Sequence, residues 1–164
     1  MTDVTRSQTW RRKRNRLASE AYQGSYAFAV TVNTWQRQTA FEEAAQVDKC
    51  RGALQATARD AGFEVLAYCF MPDHLHLVVR GSEESGLSSF MKAFKQLTSF
   101  DHKRRTGQPL WQRSYYDHIV RGDEVLEASI EYVFANPVVA GLTEDAYSYP
   151  SSGGAVLEEE LVAT

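Results

Sequence analysis

Cysteines and long apolar runs are scarce in this sequence of 164 residues. Cys50 and Cys69 are its two cysteines, and without C-x-x-C spacing they provide neither a disulfide framework nor a cysteine zinc site. We expect both to be reduced and buried. No run approaches the roughly 18 apolar residues of a membrane span, and the first residues lack the apolar stretch of a secretory signal. The sequence therefore predicts a cytoplasmic protein that does not span a membrane.

Basic residues are absent after Arg121, where the segment 123–164 holds nine acidic residues. Earlier in the chain, basic residues form two clusters: Arg6, Arg11, Arg12, Lys13, Arg14 and Arg16, and then Lys92, Lys95, Lys103, Arg104, Arg105, Arg113 and Arg121. The net charge of −3 conceals this separation. Separated charge can attract a polyanion to one face of a protein, although a solvated surface explains either cluster alone equally well.

The length and composition are those of one globular domain, with 43% hydrophobic and 24% charged residues. We expect a basic N-terminal arm at residues 1–24, a folded domain at 25–150 and a flexible acidic tail at 151–164. The tail is predicted because turn residues there are followed by an acidic end.

Hydrophobic periodicity predicts the element order β, α, β, β, α, β, α. Strands are predicted in "SYAFAVTVN", "FEVLAYCF", "HLHLVVR" and "SYYDHIVRG", and helices at 41–61, at 87–97 and in "DEVLEASIEYVFAN". Gly62 should end the first helix and Pro137 the last. The first six elements match a ferredoxin-like (RRM-like) antiparallel sheet with two helices on one face. We therefore predict an α+β fold of this kind with an additional C-terminal helix.

The stretch "FMPDHLHLVV" places two histidines in an apolar run. Alternate residues of a strand point to the same side, so His74 and His76 share one face while Leu75 and Leu77 take the core side. Two neutral imidazoles suit a divalent metal, but they leave its coordination incomplete. The pair alone is more typical of exposed or hydrogen-bonded histidines without a metal.

The predicted last helix offers further polar groups. Tyr132 and Asn136 are four residues apart and therefore lie on one helix face. Leu126, Ile130 and Val133 form a neighbouring apolar stripe that can anchor the helix. Because Asn136 precedes a proline, we expect it at the helix end with its side chain free to bond elsewhere. A helix stop and a core tyrosine are the alternative interpretation.

Three segments in this order, "MPDHLHLVV", "LWQRSYYDHIVR" and "EYVFANPVVAGL", resemble one known family. They are similar to the single-tyrosine HUH transposases, in particular the REP-associated tyrosine transposases, over about residues 22 to 149. The resemblance implies that His74 and His76 are the paired histidines of the HUH motif. It further implies that Tyr132, on the C-terminal helix, is the nucleophile and that Asn136 is a metal ligand. The domain at 25–150 would then be catalytic.

The resemblance also implies a reaction, with single-stranded DNA carrying a hairpin as substrate and a 5′-phosphotyrosine and a free 3′-OH as products. Attack of a tyrosine oxygen on phosphorus keeps the bond energy for later rejoining. A phenol is mostly protonated at neutral pH, so a bound Mg²⁺ or Mn²⁺ that polarises the phosphate suits this step. Imidazole ligands favour Mn²⁺, whereas cellular abundance favours Mg²⁺. We expect metal-dependent nicking and strand transfer.

Charge predicts which residues hold DNA phosphates. They are Arg11, Arg12, Lys13, Arg14 and Arg16 of the arm, and Lys92 and Lys95 of the second helix. Trp111, Tyr115 and Tyr116 offer stacking surfaces but are better explained as core residues. His118 points with Tyr116 and either supports the site from behind or, as we favour, makes a local hydrogen bond.

Two other functions fit parts of the sequence. A non-catalytic nucleic-acid-binding module, or a domesticated regulator, would bind through the open face of the sheet, but the aromatic consensus of RNA-recognition motifs is not evident in the third strand. A metal hydrolase would use the histidine pair with water as nucleophile, but no carboxylate motif completes such a site. The chain is expected to be a monomer or a homodimer, because relatives place the tyrosine helix against their own sheet or a partner's.

Overall fold

The computed structural model describes residues 26–82 and 85–163, so the predicted arm at 1–24, with Arg11 to Arg16, lies outside the described residues. Within them the strands are β1 (Ala27–Asn33), β2 (Phe63–Met71), β3 (His74–Gly81), β4 (Tyr116–Val120) and β5 (Ser152–Gly153). The α-helices are α1 (Ala44–Ala61), α2 (Leu87–Thr106), α3 (Asp123–Val139) and α4 (Ala155–Ala163). Two single 3-10 turns, Trp35–Arg37 and Ala40–Glu42, connect β1 to α1.

The described strands form one antiparallel sheet in the order β4-β1-β3-β2-β5. The predicted α+β class and the order of the first six elements are confirmed. Gly62 ends α1 as predicted, because its φ of 74° is a left-handed conformation that glycine adopts without steric cost. No helix within the described ranges is long and apolar enough to cross a membrane.

One face of the sheet packs against α1 and α2. Alternate residues of the central strands, such as Val30 and Leu77, are almost completely buried there. Phe90 and Phe94 of α2 are also fully buried in this cluster. Each such aromatic side chain contributes about 1.5–3 kcal/mol through removal of apolar surface from water. This core holds the two central strands, β1 and β3, in a fixed position.

The second face of the sheet is partly covered by α3 and α4. The predicted anchoring stripe of Leu126, Ile130 and Val133 packs, together with Phe134, in a second cluster that includes Val78. Within this cluster Val133 and Phe134 are buried. The anchoring role predicted for the stripe is therefore confirmed, and α3 lies on the face to which the histidines point.

Pro137 does not end α3, contrary to the prediction, because the helix continues to Val139. A proline in the last turn loses only one backbone donor, and the terminal carbonyls still find partners. The N–H of Ala140 donates to Asn136 O at 3.0 Å, and that of Leu142 donates to Pro137 O at 2.8 Å. Asn136 therefore lies within the last turn of α3.

The segment after residue 150 also differs from the predicted poorly packed tail. Ser152 and Gly153 pair with β2, and α4 follows. An added Cβ at Gly153 would collide with the Tyr68 side chain, and one at Gly154 with the backbone of β2. The two glycines, which resemble a linker in the sequence, instead allow close packing against the sheet. The domain boundaries themselves stay predictions.

Candidate active site

Strand register places both histidines on the sheet face opposite α1 and α2. His76 is paired with Thr31 of β1, and His74 with Asn33. On the other side β2 supplies their partners, with Met71 opposite His74. Paired residues of antiparallel strands point to the same side of the sheet. The predicted side-by-side arrangement of the imidazoles is thus present in the middle of the sheet.

The two imidazole rings turn the same nitrogen toward each other. His74 Nε2 and His76 Nε2 lie 3.0 Å apart. The remaining nitrogens have other partners, since His74 Nδ1 contacts Asp73 Oδ1 at 2.7 Å and His76 Nδ1 contacts Thr31 Oγ1 at 3.1 Å. A histidine whose outer nitrogen is held by a carboxylate presents the lone pair of the other nitrogen, as metal-ligating histidines commonly do.

Asp73 is held in turn by the connection between β1 and α1. Arg37 Nε donates to Asp73 Oδ2 at 2.9 Å, and Arg37 Nη1 donates to Asn33 Oδ1 at 2.8 Å. The hydroxyl of Thr34 donates to the Asp73 carbonyl at 2.9 Å. Sequence reasoning did not identify Arg37, Asp73 or Thr31 as part of this site. Two signals in the sequence could have identified them. An aspartate directly precedes the first histidine, and alternation in β1 places Thr31 on the face opposite the core residues Val30 and Val32.

Burial controls the charge of these groups. Burial, reinforced by His74 and Arg37, lowers the pKa of His76 to about 3. Burial also lowers the pKa of His74, although Asp73 opposes the effect. Partial burial works against ionisation of Asp73, but hydrogen bonds from His74 and Arg37 outweigh it and lower the pKa of that carboxyl. The imidazoles are therefore neutral at neutral pH, which is the state that binds metals.

The third predicted member, Tyr132, lies against the histidine pair. Its ring meets His76 edge to face, with centroids 5.5 Å apart and an interplanar angle of 80°. The residue stays 46% exposed to solvent. The structure thus brings Tyr132 and the two histidines together within one chain.

Asn136 follows Tyr132 by one turn of α3. Its Nδ2 donates to the Tyr132 carbonyl at 2.6 Å, within the same helix. A metal would require its Oδ1, which this hydrogen bond does not use. Asn136 as a metal ligand remains a prediction.

The donor set fits a small divalent cation. Adjacent ligands of an octahedral ion with bonds near 2.0–2.1 Å lie about 3 Å apart, which matches the 3.0 Å between the Nε2 atoms. In the described part of the chain no group of three or more His, Cys, Asp or Glu side chains could hold a metal. Within the described residues, the Asn136 amide is a candidate for a further protein ligand of another type.

Of the residues predicted to bind DNA, Lys92 and Lys95 lie within the described part of the chain, and both belong to α2. Lys92 is exposed on α2, in the layer opposite the histidines. Lys95 is only half-exposed, and its Nζ donates to the carbonyls of Gln112 and Arg113 at 2.7 and 3.0 Å. These bonds tie α2 to the segment before β4, so Lys95 has a structural role.

The aromatic residues before and in β4 divide between core and site face. Trp111 is buried, and its Nε1 donates to Thr98 Oγ1 at 2.8 Å, in agreement with the core interpretation. Tyr116 is paired with Thr31 and His118 with Ala29, so both point to the histidine face and are partly buried.

Comparison with known proteins identifies a family and relatives for this chain. The family described as "Transposase IS200 like" matches residues 21–136. A Haemophilus influenzae protein provisionally assigned as a REP-associated tyrosine transposase is 26% identical over 79% of this chain and 78% of its own length. The REP-associated tyrosine transposase of Escherichia coli is 24% identical over 79% of this chain and 75% of its length.

Two solved structures share the fold. A REP-associated tyrosine transposase bound to a REP hairpin superposes with a TM-score of 0.70 at 24% identity, covering 84% of this chain and 80% of that one. A provisionally assigned transposase of Deinococcus radiodurans gives a TM-score of 0.51 at 23% identity, covering 74% and 97% of the two chains. The chain belongs to the IS200-like transposase family, with REP-associated tyrosine transposases among its relatives.

Proposed function

We propose that this chain is a metal-dependent enzyme that nicks single-stranded DNA and transfers the strand through Tyr132. The observation that carries the proposal is the contact between the Tyr132 ring and His76, whose Nε2 faces that of His74. An exposed nucleophile beside two convergent neutral imidazoles is an arrangement for phosphoryl transfer rather than for binding alone. The ferredoxin-like assignment, with α3 as the added nucleophile helix, is supported by the strand order β4-β1-β3-β2.

The proposed step exchanges one phosphoester bond for another. Tyr132 Oη attacks phosphorus and loses its proton, while the bond from phosphorus to the 3′ oxygen breaks and that oxygen leaves as a protonated 3′-OH. The 5′ side of the nick stays attached as a phosphotyrosine, a polarity that follows from the family resemblance. Attack by a second 3′-OH reverses the exchange and joins the strand to a new end. No external energy source is needed.

His74, His76 and Asn136 would hold the cation, Mg²⁺ or Mn²⁺. When bound, it polarises a non-bridging phosphate oxygen and stabilises the charge that develops during transfer. Asp73 and Thr31 hold the outer nitrogens of the imidazoles, and burial keeps the rings uncharged.

The substrate is proposed to be a DNA hairpin with a single-stranded flank, as the relative bound to a REP hairpin suggests. Because Tyr132 and the histidines meet within one chain, a monomer contains the proposed nucleophile and imidazole ligands. Lys92 would bind phosphates distant from the nick, since α2 lies in the opposite layer. Arg11, Arg12, Lys13, Arg14 and Arg16 of the arm are proposed to bind phosphates as well. Such a protein would act in the cytoplasm.

The test is a denaturing gel that detects a covalent adduct between the protein and single-stranded hairpin DNA in Mg²⁺ or Mn²⁺. We expect Tyr132→Phe to abolish the adduct and retain DNA binding. Tyr147→Phe is the matched control, because Tyr147 is 48% exposed and Tyr132 is 46% exposed. An adduct that survives Tyr132→Phe would refute the role of Tyr132. Free cleaved ends without an adduct would favour a metal hydrolase, and binding without cleavage would favour a non-catalytic module.

A further inference from the structure

The turn after β1 has an unusual backbone. Gln36 and Arg37 have φ values of 51° and 56°, in the left-handed region that residues other than glycine seldom adopt. Such strain persists only where surrounding contacts impose it. Here the N–H of Thr34 donates to the Asp73 carbonyl at 3.0 Å, and Gln38 Nε2 donates to the Pro109 carbonyl at 2.8 Å. The turn is thus held on one side by the connection between β2 and β3, which precedes His74, and on the other by the segment between α2 and β4.

This turn directs the Arg37 guanidinium at the two residues that flank His74. Asp73 precedes His74 in the chain, and Asn33 is the partner of His74 on the neighbouring strand β1. Arg37 bonds to both through two different nitrogens. A planar guanidinium with two anchored nitrogens has little rotational freedom, which a lysine in its place would not reproduce.

Asp73 divides its carboxylate between Arg37 and His74. Oδ2 accepts from Arg37 and Oδ1 contacts His74 Nδ1. With one oxygen held by Arg37, the carboxylate is oriented so that the other meets the imidazole. A proton on His74 Nδ1 then leaves the lone pair on Nε2, the atom that faces His76.

Stability alone does not account for this arrangement. The side chains of Arg37 and Asp73 are 50% and 26% exposed. An ion pair this exposed contributes little to the stability of the fold. Its contribution is smaller than the conformational energy that two residues in the left-handed region cost. The geometry of the turn is better explained by what it does for His74.

We propose that Arg37 is a positioning residue that acts through Asp73 to keep His74 in the Nδ1–H tautomer with Nε2 directed at the metal site. The inference rests on the proposed function, because a metal site is what gives the Nε2 lone pair a use. No contact of Arg37 with substrate is required.

The first test is ¹⁵N NMR of the histidine side chains in metal-free protein. We expect a single Nδ1–H tautomer for His74 in the wild type and a mixture in Arg37→Ala. Arg80→Ala is the matched control, because Arg80 lies on the same strand as His74 and forms an ion pair of its own. The Arg80 side chain is 53% exposed and is paired with Glu64 at 2.6 Å. An unchanged His74 tautomer in Arg37→Ala would overturn the proposal. This measurement remains decisive even if the wild type binds no metal, an outcome that would instead refute the proposed function.

The second test is Mn²⁺ affinity, measured by electron paramagnetic resonance. Loss of an outer-shell partner typically weakens metal binding roughly 10- to 100-fold, and we expect this for Arg37→Ala and Asp73→Asn but not for Arg80→Ala. Arg37→Gly relieves the backbone strain yet also lacks the guanidinium, so it should lose as much affinity as Arg37→Ala. Retained affinity in Arg37→Gly would contradict the proposal. The double variant of Arg37→Ala and Asp73→Asn should bind no more weakly than Asp73→Asn, and fully additive losses would show that Arg37 does not act through Asp73.

Discussion

Mild acid should destabilise this protein through His76. Burial, reinforced by His74 and Arg37, lowers the pKa of His76 to about 3, whereas a histidine in an unfolded chain titrates near 6.5. Below about pH 6.5 the unfolded state therefore binds a proton that the folded state does not, so stability falls as the pH falls. The loss continues until the folded-state pKa is reached. At about pH 5 it amounts to about 2 kcal/mol, from roughly 1.5 pH units at about 1.4 kcal/mol each.

The assay is urea unfolding followed by tryptophan fluorescence at about pH 7.5 and about pH 5, in the presence of a chelator. His76→Ala should reduce the pH-dependent difference by about 2 kcal/mol, even if it is less stable at both pH values, while the lowered pKa of His74 keeps part of the difference. Cys69→Ala is the matched control, because Cys69 is the cross-strand partner of His76 and is also buried. Burial raises the pKa of Cys69 to about 11, so this variant should keep the difference. An equal difference in His76→Ala and the wild type would show that His76 is not held neutral in the folded state.

Three further predictions concern other parts of the fold. Burial raises the pKa of Cys50 to about 12 and that of Cys69 to about 11, so a thiol reagent at about pH 8 should modify neither until urea unfolds the protein; rapid modification of the native state would contradict this. Arg37→Gly should have a free energy of unfolding in urea about 1 kcal/mol higher than Arg37→Ala, because the φ of residue 37 is 56°, which glycine adopts without strain. Equal unfolding midpoints of the two variants would argue against strain. Gly154→Ala should lower the free energy of thermal unfolding by about 1–3 kcal/mol, because the φ of Gly154 is 129° and a Cβ there would collide with β2. Gly52→Ala should raise it by about 0.5–1 kcal/mol, because Gly52 has open space around it in α1. The reverse order of stability would refute the packing of the C-terminal segment.

Local periodicity was sufficient to predict the strands that carry the site. Alternation in β1 and β3 depends only on the backbone geometry of each strand, so the common face of His74 and His76 followed from spacing. The anchoring of α3 by Val133 followed in the same way from helical spacing. The proximity of Tyr132 to His76 had a different source, since it was expected only from the resemblance of the motifs to a known family.

The remaining features depend on contacts between distant residues. α3 continues past Pro137 because N–H groups beyond the helix donate to its terminal carbonyls, which no local rule shows. The C-terminal segment packs because Arg51 Nη2 donates to the Pro150 carbonyl at 2.6 Å and two glycines approach β2 closely. Arg37 reaches Asp73 only through a left-handed turn that its own sequence does not favour. Each of these depends on tertiary structure overriding a local preference.

The layering of charge in the described residues bears on how DNA would reach the site. The exposed basic residues Lys92, Lys103 and Arg104 belong to α2, on one side of the sheet. The histidines share the other side with α3 and α4, whose exposed charged residues are acidic. Neutral imidazoles offer a phosphate no compensating charge, so an anionic strand entering this layer meets the acidic side chains of α3 and α4, with Arg37 and the Glu64-paired Arg80 as basic groups on this side. A divalent cation would reverse that local field. If the proposed function is correct, metal should therefore strengthen binding of the single-stranded flank at the site as well as support its cleavage, while contacts made by α2 should be unaffected by metal.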